Sequence, residues 1–291
     1  MTTALFPVAL CLASAISLAA TNVLVKRGGD VLTARMLVSL VMAVTVLPLV
    51  PFVPLPPRET WPLIATSMVA HWFYQFSAVR AMHRGDLSLV FPVMRGLGPL
   101  ATACFAAVML RETLNPIQMV GLFAASVSII VFALPTGATL HARRLDRRAL
   151  FWAVMTAVGV GLYAVADARA AREMPGLALP GSMTFIVWLF LIDWIGVTVV
   201  TVWQRKGRLL QTVRPLMRGG LIAGLLGSLS YGMAIVAYTL TDAAMVTALR
   251  ETSVVFAAGF GAFLLHEGFG PRRTTAAAVL ACGLVVMQAA G

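Results

Sequence analysis

About ten stretches of roughly 20 apolar residues follow one another along this chain, with only short connections between them. They fall near Leu5–Val25, Thr33–Val53, Trp61–Met82, Leu87–Leu110, Leu114–Leu134, Ala149–Ala170, Gly181–Trp203, Met217–Leu240, Ala243–Leu265 and Thr274–Gln288. A helix rising 1.5 Å per residue needs about 20 residues to cross a hydrocarbon core roughly 30 Å thick. Backbone groups in lipid must be satisfied within the segment, and no stretch alternates as barrel strands do, so each reads as a helix. The expected fold class is all-α and integral to a membrane, with about ten transmembrane helices and no room for a soluble domain.

Composition agrees. Only 11% of the 291 residues are charged and 60% are hydrophobic, against about 25% charged in a soluble domain. The net charge of +11 does not mark a nucleic-acid groove, because the basic residues sit in clusters between apolar runs. Sixteen of the 22 Lys and Arg residues fall in or at the edges of the odd-numbered connections, four in or at the edges of the even-numbered ones, and two, Arg95 and Arg250, well inside segments. Positive charge favours the cytoplasm, so both termini are expected outside it. The first apolar run lacks a basic leader and is expected to span rather than to be cleaved. Cys11, Cys104 and Cys282 lie inside apolar runs and imply neither a disulfide nor a metal site.

The fourth and ninth segments repeat each other. Arg95 lies 17 residues before Glu112 and Arg250 lies 17 before Glu267; 250−95 and 267−112 both equal 155. The chain therefore divides into residues 1–140, a basic connection at 141–148, and residues 149–291. Five helices is an odd number, so two homologous halves insert in opposite orientations. Such inverted repeats are the architecture of many secondary carriers, with the substrate near the midplane. The stretch RKGRLLQTVRPLMR (Arg205–Arg218) is expected to be an insertion in the second half.

These features resemble the EamA family of the drug/metabolite transporter superfamily. The resemblance rests on the polar end of the first helix (Thr21, Asn22, Lys26) and on Pro92, Gly96 and Pro99 in the fourth. It also rests on the exit motifs LRETLNPIQMVG (Leu110–Gly121) and LLHEGFGPRRTTAAAVLACG (Leu264–Gly283). It covers essentially the whole sequence and implies ten helices, a central cavity and transport by alternating access. One departure is the lack of a Trp-Gly pair in the first helix.

Arg95 and Arg250 are the expected substrate contacts, since a guanidinium fork suits carboxylate or phosphonate groups. The competing reading pairs each with an internal acid, Glu251, Asp167 or Asp193, because a buried cation requires a partner. His71, Tyr74, Gln75, Tyr163 and Tyr231 are expected to line the cavity with amphipathic edges. Glu251 and Asp167 are expected in coupling, either as proton carriers or as salt-bridge partners. Pro92, Gly96 and Pro99 are expected to loosen the helix around Arg95 as a gating point. Gly220, Gly224, Ser228 and Gly232 form a small-residue stripe for helix packing.

The expected activity is secondary transport of a small anionic or zwitterionic metabolite, such as an amino acid, a carboxylate or a phosphonate. A broad exporter of toxic compounds is the alternative; a lipid-modifying membrane enzyme and a non-transporting scaffold stand behind it. The expected partners are the substrate, the lipid bilayer of the inner (plasma) membrane and protons as coupling ion. No catalytic constellation, nucleotide-binding loop, cofactor motif or metal-ligand spacing occurs.

Overall fold

The computed structural model describes residues 2–84, 87–133, 146–265 and 271–290, and among these every regular element is helical. The helices are α1 (Thr2–Arg27), α2 (Val31–Val46), α3 (Trp61–Arg84), α4 (Leu87–Gly96), α5 (Gly98–Met109) and α6 (Pro116–Ala133). They continue as α7 (Arg147–Glu173), α8 (Gly181–Arg205), α9 (Leu209–Tyr238), α10 (Ala243–Glu251), α11 (Ser253–Leu265) and α12 (Pro271–Ala289). Six stretches among the described residues are long and apolar enough to cross a membrane, and one of them, Gly181–Tyr238, holds two successive helices. Large apolar side chains such as Val108, Val120, Phe123 and Leu225 stand exposed on these helices. Such surfaces suit a lipid solvent and not water.

Two expectations need correction. The fourth segment is not one helix: it breaks at Leu97, between α4 and α5. Pro99 lacks an N–H and enters α5 in its first turn, where that loss costs nothing. The ninth segment likewise breaks, at Thr252, with no proline or glycine at the break. There the Thr252 hydroxyl donates to the Leu249 carbonyl at 2.6 Å, and the Thr252 N–H bonds the same carbonyl at 3.2 Å, tightening the last turn of α10. The Arg205–Arg218 stretch, expected as an insertion, is largely helical: after a 3₁₀ turn at Lys206–Arg208, α9 begins at Leu209 and runs through Pro215.

The chain folds into two compact units, and each draws on both sequence halves. The first comprises Met1–Met68 and Ala168–Leu240. In it α1 packs on α9 through a reciprocal serine pair: Ser14 Oγ donates to the Ser230 carbonyl at 2.7 Å and Ser230 Oγ to the Ser14 carbonyl at 2.8 Å. Gly220 and Gly224 let α2 approach α9, for a Cβ on Gly220 would stand 2.8 Å from Leu37 Cβ and one on Gly224 would overlap Val41. Ser228 extends the contact, its hydroxyl 2.9 Å from that of Thr45. Gly232, expected in the same stripe, faces open space.

Asp30 stands just before α2, where its carboxylate accepts the Thr33 N–H and two hydrogen bonds from Arg205, at 2.6 and 2.9 Å. Burial works against its ionisation, but the Arg205 and Thr33 hydrogen bonds outweigh it. They hold the carboxyl below its ordinary range.

The second unit comprises Val69–Asp167 and Thr241–Gly291. Here α6 and α12 meet at Gly121 and Gly283: a Cβ on either would come within 2.6 or 2.7 Å of the other's carbonyl oxygen. Gly96 brings α4 onto α6, where a Cβ would overlap Ile130 and stand 2.9 Å from the Ser126 carbonyl. A Cβ on Gly159 of α7 would stand 2.8 Å from the Tyr74 Cα on α3, and one on Gly161 would stand 2.7 Å from the Ala101 carbonyl carbon on α5. Of these closely packed helices α3, α4 and α7 carry polar residues described next.

Candidate substrate-binding site

Arg95 is the penultimate residue of α4, two positions before the break at Leu97, and Glu251 is the last of α10, one position before the break at Thr252. The two meet: Arg95 Nη1 donates to Glu251 Oε1 at 3.2 Å. The side chains are 15% and 4% exposed, so the pair is largely withdrawn from solvent. Among the described residues this is the only hydrogen bond of the Arg95 guanidinium, and Glu251 Oε2 is buried without a hydrogen-bond partner. The guanidinium also stands 5.6 Å from the centre of the Phe91 ring, one turn back on α4. Arg250 is buried too and within electrostatic reach of the Glu251 carboxylate.

A second polar pair joins α3 to α7. His71 Nε2 lies 3.1 Å from Asp167 Oδ2; the imidazole is 12% exposed and the carboxylate fully buried. Tyr163, one turn before Asp167 on α7, stacks on the His71 ring at 4.6 Å between centres, with 18° between planes. Tyr74, one turn beyond His71 on α3, meets Tyr163 edge to face at 5.3 Å. Tyr74 and Tyr163 lie in the same unit as Arg95.

The second unit thus brings together seven of the expected residues: His71, Tyr74, Arg95, Tyr163, Asp167, Arg250 and Glu251. Gln75 is half-buried and makes none of these contacts among the described residues. Tyr231 belongs to the first unit, where its ring packs against Phe190 at 6.3 Å. Asp193 is there as well, accepting a hydrogen bond from Ser39 at 3.3 Å. Pro92 is buried within α4, and Gly96 and Pro99 flank the break.

One contributor, Phe91, escaped the sequence reading; it sits four residues before Arg95, a spacing that places both on one helix face. Glu112, already marked by the repeat, accepts the Ala243 N–H at 2.8 Å and so caps α10, a contact between distant residues that no local pattern announces. Glu267, its repeat counterpart, lies outside the described residues. No group of three or more metal-ligating side chains occurs among the described residues.

The EamA-like transporter family profile matches residues 5–134 and again 147–288. The chain belongs to the EamA-like transporter family. It is accordingly a multi-pass membrane protein of the drug/metabolite transporter type, a family of transporters rather than enzymes. A solved crystal structure superposes on this EamA-like chain with a TM-score of 0.75 at 17% identity, covering 99% of this chain and 98% of its own. At that identity the likeness speaks to the fold alone. No curated protein matches the sequence.

Proposed function

We propose that this chain is a secondary carrier for a small anionic or zwitterionic metabolite, with ten membrane-spanning helices in two inverted repeats and alternating access. The observation that carries the reading is the single hydrogen bond between Arg95 and Glu251. A guanidinium presents five donors in a fixed fork, and one is used here. The others suit a carboxylate or phosphonate that joins Glu251 on the guanidinium or displaces it. Tyr74 and Tyr163 add phenol groups to the same unit, and the breaks at Leu97 and Thr252 supply points near Arg95 and Glu251 about which α4 and α10 can move. The Lys and Arg bias supports termini outside the cytoplasm in an inner (plasma) membrane.

Thermal melting of detergent-purified protein tests the reading. A ligand far above its Kd stabilises the folded state by about 2.7 kcal/mol at a hundredfold excess. Acetate, methanesulfonate and methylphosphonate are expected to raise the melting temperature of the wild type and not of Arg95→Gln. Stabilisation by lipophilic cations alone, unchanged in that variant, favours the broad exporter instead.

A further inference from the structure

We propose that the His71–Asp167 pair binds the coupling proton of the carrier, and that proton and anion bind cooperatively and travel together. The inference rests on the anion reading above and adds a second ligand to the same site.

The second unit holds two buried pairs of opposite chemistry. In Arg95–Glu251 the cation is a guanidinium, which keeps its proton at every pH a cell visits. In His71–Asp167 the partner is an imidazole, the side chain that ordinarily exchanges a proton near neutrality. Asp167 is fully buried, so its charge requires compensation, and the imidazole at 3.1 Å supplies it when a proton is present. The proton bridges Nε2 and Oδ2 whichever atom formally carries it. The 12% of His71 left exposed is the edge by which the proton enters and leaves.

The sign of the coupling follows from charge. Among the described residues Tyr163 stacks on the His71 ring and Tyr74 meets Tyr163; the charged side chains of the same unit's site are Arg95 on α4 and Arg250 and Glu251 on α10, and α5, packed on α7, brings none. Protonation adds one positive charge to the unit in which Arg95 is to hold an anion. The His71 ring joins the site through Tyr163, which touches both His71 and Tyr74. A bound anion therefore raises proton affinity at the pair, and a bound proton raises anion affinity by the same factor, about fivefold or more.

Calorimetric titration with acetate and methanesulfonate, whose charge is constant near neutral pH, tests this in two buffers of different ionisation enthalpy. The wild type is expected to take up protons on binding. His71→Asn and Asp167→Asn, each first shown to melt cooperatively, are expected to bind the anions more weakly and without that uptake. Asp167→Asn keeps the shape of the carboxyl and serves if His71→Asn does not fold. Binding without proton uptake in the wild type overturns this proposal alone. So does uptake that survives both substitutions, or that disappears only in Glu251→Gln. Absence of anion binding in the wild type removes the anion reading and the coupling together.

Discussion

Arg95 and Arg250 occupy equivalent places in the two repeats, 155 residues apart, yet they stand in unlike surroundings. Of the many differences between the two stretches, the residue that follows each arginine bears directly on its pairing. Gly96 follows Arg95 and gives α4 its close seat on α6, whereas the same offset, 251−96, places Glu251 after Arg250. The second repeat therefore supplies an acid where the first supplies none, and that acid turns to the first repeat's arginine. Arg95 is thereby paired and 15% exposed, while Arg250 is buried within α10. An acid present in one repeat and absent from the other accounts for the pairing of Arg95.

Removing the pairing has the largest expected effect. Arg95→Gln leaves the Glu251 carboxylate buried without its cation, at a cost of about 3–5 kcal/mol. The double variant Arg95→Gln, Glu251→Gln recovers most of that loss in melting temperature while staying blind to anions. A double variant no more stable than the single one breaks the assigned pairing. Next comes the seat of α4. Gly96→Ala pushes a methyl into Ile130 and the Ser126 carbonyl, costing about 1–3 kcal/mol. Gly232→Ala on α9 meets nothing within 4 Å and serves as the neutral control.

Smaller still is the cap beneath Arg250: Glu112→Ala deprives the α10 N-terminus of its carboxylate, at about 0.5–2 kcal/mol. The smallest effect is confined to acid. The Asp30 carboxyl is held below its ordinary value of 3.8, so its contribution is present above that value and disappears as pH falls through the lower folded range. Melting curves of the wild type and Asp30→Asn should converge as pH falls through that range. A constant gap between them removes Asp30 from the acid dependence.

Much of this was legible beforehand. Apolar length gave the helices, and the 155-residue offset gave the repeat and its arginines. The sequence reading named Glu251 as one possible partner for Arg95 but had no means of choosing it over Asp167 or Asp193. That choice depends on how α4, α7 and α10 pack, which no local spacing encodes. The break at Leu97 was foreshadowed by Pro92, Gly96 and Pro99. The break at Thr252 was not, because a threonine hydroxyl turning back on a carbonyl looks like any other polar residue in a helix. Gly232 failed in the other direction: its fourfold spacing from Gly224 and Ser228 is real, but among the described residues nothing lies within 4 Å of where its Cβ would stand.

The pairing also bears on how the chain is made. Arg95 and its acid are separated by 156 positions. At a synthesis rate of roughly 5–20 residues per second, the acid emerges some 8–30 seconds after the arginine. Throughout that interval the nascent first repeat carries a guanidinium with no Glu251 to neutralise it. A lone charge of that kind is sheltered by reaching toward water or by thinning the bilayer around it. The first half therefore waits, incompletely seated, until the second arrives, and truncation before residue 251 leaves an inserted but unsettled fragment exposed to membrane quality control.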